Sequence, residues 1–171
     1  DAPVTAPEKP HMKVFRSLLQ GSDEWLSARC GMLTASEMKH IVTPTLKVAA
    51  NDKTRGHLYE LLAQRITGHV EPHFVSDDML RGQEDEIEAV NLYNKHFGIV
   101  DQIGFITNWK WGFMLGYSPD GIVGDDGLIE CKSRRQKYQV QTIIEYLPNE
   151  QISTEYMIQV QTGLLVSERE W

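Results

Sequence analysis

Tyr117-Ser118-Pro119-Asp120-Gly121-Ile122-Val123-Gly124-Asp125-Asp126-Gly127-Leu128-Ile129-Glu130-Cys131-Lys132-Ser133 is the stretch on which the reading of this chain turns. Two short apolar runs flank Gly-Asp-Asp-Gly, and Asp-Gly between such runs is a strong hairpin signal. Strand alternation puts Leu128, Glu130 and Lys132 on one face of the second strand, with Ile129 and Cys131 on the other. The hairpin therefore brings Asp120 near Glu130 and Lys132. Two carboxylates beside a lysine are costly to cluster without a partner, and oxygen donors of this kind suit a hard divalent cation.

Working upstream, residues 99–116 read as two strands meeting near Asn108, so the centre of the chain is a small antiparallel meander. Before it, the pattern predicts a long helix from about Asp77 to Phe97, ended by Gly98, with Ile87, Val90, Leu92, Tyr93 and Phe97 on its apolar face. Glu86 lies four residues before Val90 and seven before Tyr93, which places a carboxylate on or beside that stripe. A further helix is expected over 54–67, burying Leu58, Leu61, Leu62 and Ile66. His69 and His73 have an i, i+4 spacing, but Pro72 breaks the helix that a zinc pair would need.

Near the start, Ser22 or Asp23 caps a short helix carrying Trp25, Leu26 and Arg29. Thr34-Ala35-Ser36-Glu37 fits a capping box opening a second short helix. The Thr34 and Ser36 hydroxyls read either as plain capping groups or, with Arg29 and a helix N-terminus, as a phosphate site. Residues 1–12, with Pro3, Pro7 and Pro10, read as a disordered arm, and 13–171 as one domain. Downstream, 134–146 is helix or irregular, and Ser153 or Thr154 caps a last helix with Met157, Val160 and Leu164 inward. The order helices, meander, helix predicts an α/β (α+β) fold with a central mixed sheet flanked by helices.

The net charge of −7 argues against a protein that simply coats nucleic acid. It leaves room for an enzyme that grips DNA locally, because metal-binding carboxylates count in the total. The one concentrated basic run, Lys132, Arg134, Arg135 and Lys137, is either a solvated face or a phosphate-facing one. Its place beside the acidic cluster favours the second. No apolar run reaches membrane-spanning length, so no membrane partner is expected. Two distant cysteines without ligand spacing fit a reducing, cytoplasmic compartment.

Pro119-Asp120, a ten-residue step to Glu130, one residue, then Lys132 resembles the PD-(D/E)XK nuclease motif. Further segments make the resemblance specific. They are Gly21 to Leu26 with Arg29 and Thr34-Ala35-Ser36-Glu37, Arg81-Gly82 to Glu86, Ser118 to Gly121, Gly127 to Lys132, and Tyr156 to Gln161. In this order they are similar to the lambda-type phage exonucleases, or YqaJ-like viral recombinases.

That resemblance implies a restriction-endonuclease-like core and a 5′→3′ exonuclease degrading one strand of linear duplex DNA to 5′-mononucleotides, leaving a 3′ overhang. It implies Asp120, Glu130 and the Cys131 carbonyl as ligands of one or two Mg²⁺ ions, with Mn²⁺ as a substitute. Glu86 would join them through water or position Lys132, and Lys132 would orient the attacking water. Arg29, Ser36, Ser118 and Gln159 match residues that hold the terminal 5′-phosphate, with Thr34 in support and Arg134 and Arg135 toward DNA. A ring-shaped homotrimer, a single-strand annealing recombinase partner and the cytoplasm of a bacterium carrying a phage or prophage are also implied. Family members continue past the equivalent of Trp171, so either a C-terminal tail is absent here or this member is short. The alternatives are a PD-(D/E)XK endonuclease and a non-catalytic DNA-end-binding module.

Overall fold

A computed structural model describes residues 9–72 and 76–171. The chain runs β1 (Met12–Phe15), α1 (Asp23–Arg29), β2 (Leu33–Thr34), a 3₁₀ turn over Ala35–His40, α2 (Asp52–Thr67) and α3 (Asp77–His96). It continues with β3 (Val100–Asp101), β4 (Phe105–Asn108), β5 (Leu115–Tyr117), β6 (Gly121–Val123), β7 (Gly127–Ile129), α4 (Gln136–Gln141) and α5 (Thr154–Ser167). One sheet has the order β1-β4-β5-β2 and the other β3-β6-β7. The first is mixed: β4 pairs antiparallel with β1 and β5, while β2 joins β5 in parallel, Leu33 opposite Leu115.

The helix boundaries follow from their caps. Asn51 accepts from the Thr54 N–H at the start of α2, and Gly68 ends it in the left-handed conformation at φ 66°. Ser76 likewise accepts from the Met79 N–H to open α3. Thr34 does not act as expected: it makes no side-chain cap bond, and the segment it opens is 3₁₀ rather than α. Its hydroxyl is engaged by Arg29 instead.

On three helices the buried face differs from the expected one. Leu58, Leu62 and Ile66 of α2 are more than half exposed, and α2 buries Thr54 and His57. The reason is a polar docking: Thr54 Oγ1 donates to the His40 carbonyl at 2.7 Å, and His57 Nδ1 lies 3.3 Å from Glu37. On α3 only Val90 is buried, while Ile87, Leu92 and Phe97 face outward. Met157 of α5 is also exposed, and α5 buries Ile158, Thr162, Gly163 and Val166.

The core cluster of Ala35, Ile103, Ile106, Leu115, Tyr117, Ile122, Leu128 and Val166 draws on both sheets and α5, and Phe105 is buried as well. A close approach requires glycine at 163, since a Cβ there would lie 2.7 Å from Tyr117 Cζ. Residues 1–8 of the expected arm lie outside the described residues, as does His73 of the considered zinc pair. Ordered structure starts inside the expected arm. Lys9 and His11 bind Glu168 at 2.6 and 2.7 Å, and Met12 already pairs with Asn108.

Asn108 is fully buried, donating to the Val166 carbonyl at 3.0 Å and accepting from the Lys110 N–H at 3.0 Å. Asn108→Ala leaves both groups short of a partner and is expected to lower stability by about 2 kcal/mol. Thermal unfolding followed by circular dichroism checks this as a fall in Tm of ~5 °C.

Candidate active site

The hairpin is β6 and β7, paired antiparallel with Gly121 opposite Ile129 and Val123 opposite Gly127. Continuing that register by one residue sets Asp120 against Glu130. Buried Pro119 fixes the approach, its carbonyl held by the Gln20 side chain at 2.8 Å. Glycine follows Asp120 because a Cβ at 121 would lie 2.0 Å from Val100 Cγ1. The Cys131 N–H donates to the Asp120 carboxylate across the two strands.

Glu130 collects three donors. Its side chain is only 6% exposed; Oε2 accepts from the Tyr117 hydroxyl at 2.8 Å. Oε1 accepts from Lys132 Nζ at 2.6 Å and from the Gln159 amide. Glu86 approaches from α3, which is tied to the hairpin exit where Ser133 Oγ donates to Asp85. Glu86, Cys131, Lys132 and Arg134 share the lining of a recess of about 310 Å³.

Electrostatics mark this as a crowded acidic centre. Burial, then the neighbouring Glu130, pushes the Asp120 carboxyl up to about 7. Glu86 is also raised, by burial and then Glu130, with Lys132 opposing. Burial and Asp120 push the Cys131 thiol up to about 11, so it stays protonated at neutral pH and is a poor nucleophile. The single lysine does not balance three carboxylates. That donor set, hard oxygens with unmet demand for positive charge, fits a divalent cation such as Mg²⁺. Among the described residues no three His, Cys, Asp or Glu side chains form a ready-made metal cage. The hydrogen bonds just described orient Asp120 and Glu130, but of their donors only Lys132 carries a charge.

A second polar group stands on the α1 side. The Arg29 guanidinium stacks 3.9 Å from the Trp25 ring centroid and donates to Thr34 Oγ1 at 3.3 Å. Thr34 Oγ1 lies 3.4 Å from Ser36 Oγ. Trp25 Nε1 donates to Ser118 Oγ at 3.0 Å and to the Gly104 carbonyl at 3.1 Å. Burial lowers the Arg29 pKa, with Glu37 opposing, and among the described residues no carboxylate forms an ion pair with it. A half-desolvated guanidinium facing neutral hydroxyls is a good receptor for an anion.

The structure thus links Arg29, Thr34 and Ser36, with Ser118 joined to them through Trp25. Gln159 is placed differently, on Glu130 of the acidic centre. Arg134 donates to Thr142 Oγ1 at 2.6 Å and to the Tyr138 carbonyl at 3.2 Å, and Arg135 is paired with Asp78. Arg135 therefore has its charge met within the protein. Sequence pattern alone assigns no role to Tyr117, Trp25 or Gln20. Tyr117 and Trp25 sit inside the quoted motifs, which was the available signal; nothing local marks Gln20.

Arg29, Thr34, Ser36, Glu86 and Asp120 line one cavity of about 1110 Å³. Residues 24–170 match the family described as YqaJ-like viral recombinase domain. The crystal structure of an alkaline exonuclease, LHK-Exo from Laribacter hongkongensis, is similar with a TM-score of 0.73 and 32% identity. That match covers 88% of this chain and 71% of that one. LHK-Exo in complex with dAMP gives a TM-score of 0.72 at 33% identity with the same coverage. No curated protein matches this chain.

Proposed function

Because the chain belongs to the YqaJ-like viral recombinase family, a family of lambda-type exonucleases, we propose that it degrades linear duplex DNA from a 5′-phosphorylated end. One strand is hydrolysed 5′→3′ to 5′-mononucleotides, leaving a 3′ overhang for strand annealing. The observation that carries this reading is the shared cavity, in which an anion receptor at Arg29 and a carboxylate centre at Asp120 and Glu86 line one space. A strand end seated by its phosphate at Arg29 would present its first phosphodiester to the acidic centre. The complex of the related LHK-Exo with dAMP fits release of mononucleotides.

Asp120, Glu130, the Cys131 carbonyl and Glu86 would hold Mg²⁺, with Mn²⁺ as a substitute. When bound, the metal supplies Lewis acidity and a lowered water pKa. The chain's own groups do the rest. Lys132, held by Glu130 at 2.6 Å, orients the attacking water and stabilises charge on the phosphate oxygens. Ser36 and Ser118 add hydroxyl donors to the Arg29 pocket, and Gln159 helps hold Glu130. A homotrimeric ring, an annealing recombinase partner and the cytoplasm of a bacterial host complete the proposal by family membership. Among the described residues no helix is long and apolar enough to cross a membrane.

The test uses a 5′-phosphorylated linear duplex and a covalently closed circle with Mg²⁺. The linear form is expected to yield 5′-mononucleotides while the circle survives. Rapid cutting of the circle would instead establish an endonuclease, and binding without cleavage an end-recognition module. Arg29→Ala is expected to reduce the preference for 5′-phosphate over 5′-hydroxyl ends by ~10-fold or more, the value of a charge-assisted hydrogen bond. Competition between the two end types, run with both proteins, measures it; an unchanged ratio removes the pocket assignment.

A further inference from the structure

Tyr117 is an anomaly in its surroundings. It closes β5 opposite Ile106, is 1% exposed, and belongs to the buried cluster that includes Ile106, Leu115, Leu128 and Val166. A phenylalanine would fill that volume without the penalty of burying a hydroxyl, so the phenol is favoured there only if its O–H has a good partner. The partner is Glu130 Oε2 at 2.8 Å. The ring is seated against Gly163 of α5, close enough that even a methyl group at 163 would collide with it. The hydroxyl is therefore a rigid donor.

The other two donors to Glu130 both address Oε1. Lys132 does so from a flexible stem that is 29% exposed. Oε2 is thus the oxygen fixed to the core, and its donor alone comes from a packed strand. We propose that Tyr117 is a positioning residue for Glu130. Its hydroxyl sets the plane and rotamer of that carboxylate, keeping Oε1 toward Lys132 and the acidic centre in a ligand-ready orientation. The role rests on the proposed nuclease reading only for its effect on catalysis; the orientation of Glu130 stands on the hydrogen bond and the packing.

Tyr117→Phe removes the hydroxyl and keeps the ring. Isothermal titration of the DNA-free protein with Mn²⁺ is expected to show ~10-fold weaker binding, the usual scale for losing a group that orients a metal ligand. In single- and multiple-turnover digestion of linear duplex, kcat is expected to fall ~10-fold with KM for DNA unchanged. In a Glu130→Gln background the same substitution should have no further effect on metal binding, because it acts through Glu130. Unchanged Mn²⁺ affinity in Tyr117→Phe, whatever happens to Tm, overturns the proposal, as does an equal loss in the Glu130→Gln background. If the wild-type protein binds Mn²⁺ but cuts no DNA, the nuclease reading fails while the titration still decides the role of Tyr117.

Discussion

Lys132→Ala is expected to slow degradation of a 5′-phosphorylated duplex by ~10³-fold under single-turnover conditions, with DNA-end affinity nearly unchanged. The size follows from removing a positioned cation that orients water and stabilises developing charge, for which the loss of one such group costs ~10²–10³-fold. Affinity is expected to be retained because the proposed end-binding groups, Arg29, Ser36 and Ser118, lie on a separate unit joined through Trp25 and Thr34. Lys132→Arg should recover little, since a planar guanidinium does not place one compact charge where the ammonium sits 2.6 Å from Glu130. Quench-flow rates beside end-binding titrations separate the two quantities. An unchanged rate removes Lys132 from the catalytic set.

Asp120→Asn is expected to abolish Mg²⁺-dependent cleavage, by ~10³-fold or more, and to do the opposite to metal-free stability. Burial beside Glu130 and Glu86 raises Asp120 from 3.8 to about 7 in the folded protein. A carboxyl whose folded pKa is raised favours the fold where it is protonated. That contribution is fully present below about pH 4 and is lost as pH rises to about 7. At pH 8 in chelator the wild type therefore carries an unfavourable buried charge that asparagine lacks. Asparagine can still accept from the Cys131 N–H, so Tm should rise on the order of 5 °C. The advantage should shrink as pH falls toward 4. Added Mg²⁺ should reverse the order by stabilising only the wild type. Melting curves across pH, with and without metal, read all three effects.

The parts of the fold that were legible in sequence are those set by neighbours along the chain. Asp-Gly between apolar runs gave the β6–β7 hairpin and the facing of Asp120 and Glu130. Helical periodicity with Gly68 and Gly98 as stops gave α2 and α3 within a residue or two. The motif spacing names Glu86, Lys132 and Arg29 as candidates, and the fold brings Glu86 and Arg29 to the lining of one cavity. Less visible were the choices that depend on what a face meets. Leu58, Leu62 and Ile66 form a real apolar stripe, yet α2 docks by Thr54 and His57 because polar groups of the 3₁₀ turn receive them. Arg135 reads as a phosphate ligand in a basic run, but a residue 57 positions away, Asp78, meets its charge.

By itself, then, the sequence determined the hairpin that carries Asp120, Glu130 and Lys132, because turn chemistry and strand alternation are local and one register satisfies them. Only the tertiary structure decided how those groups are held. The parallel pairing of β2 with β5, the joining of Ser118 to Arg29 through Trp25, and the convergence of Tyr117, Lys132 and Gln159 on Glu130 all depend on contacts between distant segments. Such contacts are selected by packing volume and by the need to satisfy buried polar groups, which no local pattern encodes.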